Sequence, residues 1–187
     1  MSTVFTKNYA EPPFNRKEIL RYALCKDASE SVNLLLDDCI AEIESKLSYR
    51  VCYLQVKKDI LFKTANSELL DKYLADCDEY ILFAATIGIE IDRLISKYSK
   101  LSPAKAHMLQ AIGTERTEAL CDMFECDMRK ENKIKPRISP GYGDMPLDMQ
   151  REVFAVLDCP RKIGLTLRES LIMSPSKSVT AIIGVLK

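Results

Sequence analysis

An α+β fold is predicted by three features of the sequence. Several stretches carry helical apolar spacing, a few carry strand-type alternation without a regular strand–helix repeat, and the C-terminal third is rich in turn residues. The chain has 187 residues, 47% hydrophobic and 29% charged, which suffices for a substantial core and excludes disorder as the main state.

The elements follow in order. Residues 1–13 read as an extended lead-in closed by Pro12-Pro13, and Asn15 can cap a short helix reaching Leu24. After a break at Lys26–Ser29, residues 29–47 form an amphipathic helix, with Val32, Leu35, Leu36, Cys39, Ile40 and Ile43 on one stripe. The acids Asp37, Asp38, Glu42 and Glu44 then fall on its solvated face. Residues 50–62 alternate as a strand, with a turn or exposed stretch at Lys57-Lys58-Asp59, and residues 67–75 read as a short helix. The apolar run Tyr80–Ile87 predicts a buried strand, closed by Gly88 and followed by a helix over 89–98. Ser102-Pro103 is the clearest helix start: Ser caps, and proline at the first helical position loses no useful hydrogen bond. The helix it opens runs to about Asn132 and holds Gly113 in its middle, which predicts a close approach by another part of the chain.

Five of the eight prolines and four of the six glycines lie beyond Lys135, so this part is organised by turns. A helix is predicted over 147–157, a short turn or strand start at Thr166–Glu169, and a final strand over 178–185.

Several functions are disfavoured by composition. Basic and acidic residues balance at 27 each, so nothing marks the chain for a nucleic-acid backbone. His107 is the only histidine, which argues against His-rich metal centres and His-based triads. The seven cysteines form no CxxC pair and read as free thiols of a reducing cytoplasm. The N-terminus lacks the apolar core of a secretion signal, and no apolar run approaches the roughly 20 residues of a membrane span.

Two turns are candidate sites. Arg137–Pro146 combines a guanidinium fork suited to carboxylate or phosphate, glycines at 141 and 143 that admit close backbone approach, and the ring of Tyr142. It suits a small zwitterion, or equally a turn that only positions the next helix. Met173–Ser178 places serines and Lys177 around Pro175, where they either meet an anion or form a plain surface turn. Cys121, Asp122, Glu125 and Cys126 do not make a metal site, because a spacing of five sets the thiols on different helix faces.

The same residues carry a resemblance. Arg137-Ile-Ser-Pro-Gly-Tyr142, then Leu157-Asp158, Gly164-Leu-Thr-Leu167, Glu169-Ser170 and Met173-Ser-Pro-Ser-Lys-Ser-Val179 resemble, in order and spacing, the activation domain of cobalamin-dependent methionine synthase. Upstream, Ala84–Gly88 and Ala111–Glu118 look like the short, stand-alone relatives of that domain, which extends the resemblance over most of residues 80–185. It implies a twisted antiparallel sheet packed with helices, one of them long. The expected organisation is one compact domain: residues 1–78 as its N-terminal helical and strand segment, and 79–187 as its activation-domain-like core.

The resemblance also implies a role: binding S-adenosylmethionine while an inactive cob(II) centre is reduced and remethylated, a positioning task that needs no acid or base. By that resemblance Arg137 pairs with the methionyl part of the ligand, and Ser139 offers backbone groups to the adenine side. Pro140, Gly141 and Tyr142 shape the loop, and Glu118 supports Arg137. The Asp-x-His-x-x-Gly corrinoid motif does not surround His107, so the cobalamin is expected on a separate corrinoid protein or methyltransferase, with an electron-donor protein as a further partner. The family carries aromatics where this chain has Ile182 and Ile183. The alternative is therefore an interaction module that keeps the fold, lacks the ligand site and docks to a corrinoid protein.

Overall fold

A computed structural model describes residues 3–25, 28–57 and 66–186. Four long strands form one antiparallel sheet in the order β1 (Phe5–Tyr9), β2 (Tyr49–Lys57), β3 (Cys77–Thr86) and β6 (Ser178–Leu186). The helices are α1 (Arg16–Tyr22), α2 (Glu30–Ile43), α3 (Glu68–Tyr73), α4 (Glu90–Leu101), α5 (Pro103–Met128), α6 (Met149–Leu157) and α7 (Cys159–Ile163). A small ribbon, β4 (Thr166–Leu167) with β5 (Met173–Ser174), completes the described structure.

Capping fixes several helix starts. Asn15 Oδ1 accepts from the Glu18 amide at 3.2 Å, Ser29 Oγ from Val32, Ser67 Oγ from Leu70 at 3.1 Å, and Ser102 Oγ from Lys105. Pro103 then opens α5, which runs for 26 residues and carries Gly113.

The sheet is covered on both faces. Val51, Ile81, Phe83, Ala85, Ala181 and Ile183 face a core closed by α1, α2, α4 and α5. Cys52, Leu54, Tyr80, Leu82, Ala84 and Ile182 face a second core closed by α3, α6 and α7. Because β3 is central and buried on both sides, its sequence reads as a continuous apolar run rather than an alternation. The Phe124 ring of α5 meets Phe83 at 4.8 Å and Tyr53 at 5.1 Å, which seats the long helix directly on the sheet.

Some expectations need correction. The lead-in is extended as expected, and its residues Phe5–Tyr9 also join the sheet as an edge strand, with Phe5 opposite Tyr53 and Tyr9 opposite Tyr49. The acid run on α2 is not uniformly solvated: Glu42 and Asp38 both take hydrogen bonds from Lys105 of α5 at 2.6 Å. Helix α7 and strand β5 were not expected, and of the two readings at Thr166–Glu169 the strand start is the one observed. The expected turn at Lys57–Asp59 and the strand end to Phe62 lie largely outside the described residues, as does part of the break after Cys25. No disulfide joins any of the seven cysteines, and Cys52 Sγ and Cys159 Sγ lie 4.0 Å apart in the second core. Among the described residues no helix is long and apolar enough to cross a membrane.

Candidate functional site

The free edge of β6 positions the loop singled out in the sequence. Residues 133–138 run antiparallel along that edge: Leu186 donates to the Lys133 carbonyl at 2.8 Å, Lys135 to Gly184 at 2.9 Å, and Ile138 and Ile182 exchange both their backbone bonds. Ile134 and Ile138 pack onto the two cores, while Pro136, which has no N–H to give, sits between them at a sheet edge. The segment ends by delivering Arg137 against α5 and turning sharply at Ser139.

That turn is built by its residues. Tyr142 N–H donates to the Ser139 carbonyl at 3.1 Å, with Pro140 and Gly141 at the two central positions. Gly141 has φ +88°, as a type II turn requires at its third residue. Gly141 and Met145 then close the loop on itself, leaving Tyr142 65% exposed at the tip. Asp144 fastens the loop to α3: it accepts from Ser67 Oγ at 2.6 Å and from the Glu68 amide at 2.8 Å. The Ser67 hydrogen bond and those from the Glu68 and Leu69 amides hold its carboxyl below the usual range.

Arg137 points at α5 and meets three carboxylates on one helix face. Nη2 donates to Glu118 Oε2 at 2.5 Å, while Nη1 donates to Asp122 Oδ1 at 3.0 Å and to Glu125 Oε1. Spacings of four and three bring these acids to the same side of the helix. Glu125 is buried and also accepts from Arg129 at 2.6 Å. Three carboxylates thus face two guanidinium groups, a local excess of one negative charge. Below them, burial pushes the Cys121 thiol up to about 12, so it is no nucleophile at neutral pH.

Glu118 stands on the wall of two clefts. One, of about 370 Å³, lies against Pro13, Asn15, Tyr22, Glu115 and Asp122. The other, of about 190 Å³, lies against Thr114, Thr117 and the Ser176–Val179 turn. An apolar hollow of about 520 Å³ beside Leu20, Leu24 and Cys25 shares only Glu18 with them.

The second candidate turn reaches the same place. Ser176 donates through its amide (2.7 Å) and hydroxyl (2.5 Å) to Asp92 of α4, and Ser178 Oγ donates within the group formed by Thr86 and Pro175. Lys177 Nζ donates to Thr114 Oγ1 at 3.0 Å. His107 is elsewhere, with Nε2 3.1 Å from the Ala23 carbonyl oxygen.

A sequence model described as "Vitamin B12 dependent methionine synthase, activation domain" matches residues 3–185. The chain belongs to that family. The match extends through the N-terminal residues in which no family motif was read. Comparison with curated proteins gives no match. Among solved structures, the chain is similar to the MetH reactivation domain bound to AdoHcy, with a TM-score of 0.69 and 15% identity. The similarity covers 98% of this chain and 78% of that one, and it shows the activation-domain fold.

For an activation-domain chain, the sequence picked out Arg137, Glu118 and the Ser139–Tyr142 turn, and the structure brings Arg137 and Glu118 into direct contact. Sequence reasoning missed Asp122 and Glu125 as partners of Arg137. The signal was present: Glu118, Asp122 and Glu125 recur at helical spacing on a helix that must bury its other side. It also missed the strand-like run 133–138, where Lys133, Lys135 and Arg137 alternate with Ile134, Pro136 and Ile138.

Proposed function

We propose that this activation-domain chain binds S-adenosylmethionine between α5 and the 137–142 loop and supports reductive remethylation of cobalt on a separate corrinoid protein. The observation that carries the reading is the contact between Arg137, at the start of the loop that ends in the exposed Tyr142 turn, and Glu118, which lines two clefts beside α5. The residues fit such a ligand. The excess negative charge of the Arg137 cluster complements a sulfonium or ammonium group. The Ser139–Gly141 backbone and the exposed Tyr142 ring offer a flat surface suited to an adenine.

In this reading Arg137 and Glu118 face the methionyl end. Asp122, at 3.0 Å and largely exposed, is the partner of Arg137 most easily exchanged. S-adenosylmethionine supplies the methyl group and the partner supplies the cobalt. This chain aligns the two and excludes water, so the scarcity of acid–base groups is what the task calls for. A reducing cytoplasm suits seven cysteines that form no disulfide, and an electron-donor protein completes the set of partners.

One observation favours a second reading. The Arg137 fork is already filled by carboxylates of its own chain, which suits an interaction module docked to a corrinoid protein with no ligand of its own. Methyl transfer separates the two. The cobalamin module of a methionine synthase, held as cob(II) with a chemical reductant and S-[methyl-13C]adenosylmethionine, should accumulate labelled methylcobalamin only when this chain is added. Equal accumulation without it contradicts the reactivation role.

A further inference from the structure

Arg50 of β2 is half-buried and has no carboxylate within ion-pair distance among the described residues. Its Nε–H is sealed from solvent and finds no acceptor, and its Nη2 reaches only Ser48 Oγ, at 3.2 Å. Nη1 has no partner among the described residues and stays open to solvent. A buried donor left without an acceptor is costly, so the fold holds this guanidinium at a loss.

The residues around it add donors and no acid. Arg50 lies opposite Asn8 of β1 and Thr86 of β3, so the three side chains share the sheet face of the second core. Thr86 is committed to Ser178 and the Gly88 amide, whereas the exposed Asn8 carboxamide bonds to no described residue. Ser48 accepts from Arg50 and gives its own proton to no described residue. Gly164, which ends α7 with φ +70°, lies beside Nη1: a Cβ there would sit 3.9 Å from it, and the bare glycine leaves that nitrogen approachable. Two residues earlier, Lys162 donates to the Val4 carbonyl at 3.3 Å and likewise has no carboxylate partner, while Arg161 is neutralised by Asp158. The end of α7 beside Arg50 therefore carries positive charge that no acid balances.

We infer that Arg50, with Ser48 and Asn8, forms a binding site for a phosphate group, on the sheet face opposite α5 and Arg137. A guanidinium fork takes carboxylate and phosphate alike. Further donors on two neighbouring residues, with no acid beside them, favour the group with more acceptor oxygens and more charge. A turn of the Arg50 side chain, opposed by its single bond to Ser48, brings Nε–H and Nη2 to the phosphate together. The Ser48 hydroxyl and the Asn8 carboxamide then donate to the remaining oxygens. The site is separate from the S-adenosylmethionine reading and stands or falls without it.

The test follows the Arg50 Nε–H signal by NMR in the full chain at low salt, assigned by its loss in Arg50→Gln, with inorganic phosphate, glycerol phosphate and acetate as probes. In the wild type the signal should shift saturably with phosphate, at concentrations roughly tenfold or more below those needed for acetate. Phosphate should also raise the melting temperature of the wild type and not that of Arg50→Gln. Asn8→Ala, an exposed change, should weaken phosphate several-fold without altering the melting temperature of the unliganded chain. Binding of glycerol phosphate as tight as that of inorganic phosphate supports the site and gives it a phosphate ester, whereas binding of inorganic phosphate alone supports it as a site for the free ion. No shift at Arg50 up to tens of millimolar phosphate, an equal response to acetate, or a thermal shift retained in Arg50→Gln overturns the inference.

Discussion

The side chain of Lys177 lies lengthwise over Gly113: a Cβ at position 113 would meet its Cε at 2.9 Å, its Cγ at 3.0 Å and its Cδ at 3.1 Å. The glycine in the middle of the long helix is thus explained by a side chain from the turn before β6. Gly113→Ala gains up to about 1 kcal/mol of helix propensity and must displace a flexible stem. Urea unfolding should therefore move little, by less than about 1 kcal/mol in either direction, as the stem shifts and Lys177 leaves Thr114. A loss well beyond about 1 kcal/mol would show that the Lys177 stem cannot give way.

Arg116 is fully buried and ties the N-terminal segment to α5. It forms a two-pronged pair with Glu115, donates to the Pro12 and Pro13 carbonyls at 2.5 and 2.7 Å, and lies over the Phe14 ring at 4.2 Å. Arg116→Met leaves a buried carboxylate unpaired and should cost about 3–5 kcal/mol in urea unfolding. Arg116→Lys should recover less than half of that, because one ammonium cannot serve the carboxylate and both carbonyls. Adding Glu115→Leu to Arg116→Met should restore part of the loss.

Much of this architecture is legible locally, and the remainder is not. Ser102-Pro103, Ser67 and Asn15 announce their helices because a cap involves only residues two or three apart. The Pro140-Gly141 turn is written the same way. By contrast, pairing of 133–138 with β6, of β1 with β2, and of Lys105 with Glu42 joins residues tens of positions apart, and no local signal states which edge a strand will find. Arg116 shows the limit most plainly: its burial depends on Pro12 and Pro13, 104 and 103 residues away. At the candidate site, the Arg137–Glu118 contact was readable through family motifs, and the part played by Asp122 and Glu125 in holding Arg137 was not.

Acid should weaken the contact between α2 and α5. Burial works against the charge of Glu42, but hydrogen bonds from Lys105, Tyr98 and Lys97 outweigh it and hold the pKa at about 2. A carboxylate depressed on folding stabilises the protein above its ordinary pKa, and that contribution is lost as pH falls through the ordinary range toward about 2. Glu42→Gln should therefore lower the melting temperature at pH 7 and flatten its fall between pH 5 and pH 2.5. An equally steep fall in the variant would place the acid sensitivity elsewhere.

Asp144 should govern the shape of the loop. Asp144→Ala removes the acceptor for Ser67 Oγ and the Glu68 amide, so backbone amide exchange in α3 and in residues 139–146 should accelerate together. Because its carboxyl is held below the ordinary range on folding, lowering the pH through that range should produce the same loosening in the wild type. Exchange confined to α3 alone would show that the loop holds its form without this tether.

S-adenosylmethionine is proposed to bind against α5 and the 137–142 loop. Calorimetric titration of the purified chain tests it most directly, beside Arg137→Ala and Tyr142→Ala, with circular dichroism to establish that both variants are folded. The wild type should bind saturably, Arg137→Ala should lose binding, and Tyr142→Ala, whose ring is exposed and carries little of the fold, should bind clearly more weakly. No binding by the wild type up to millimolar ligand would contradict it.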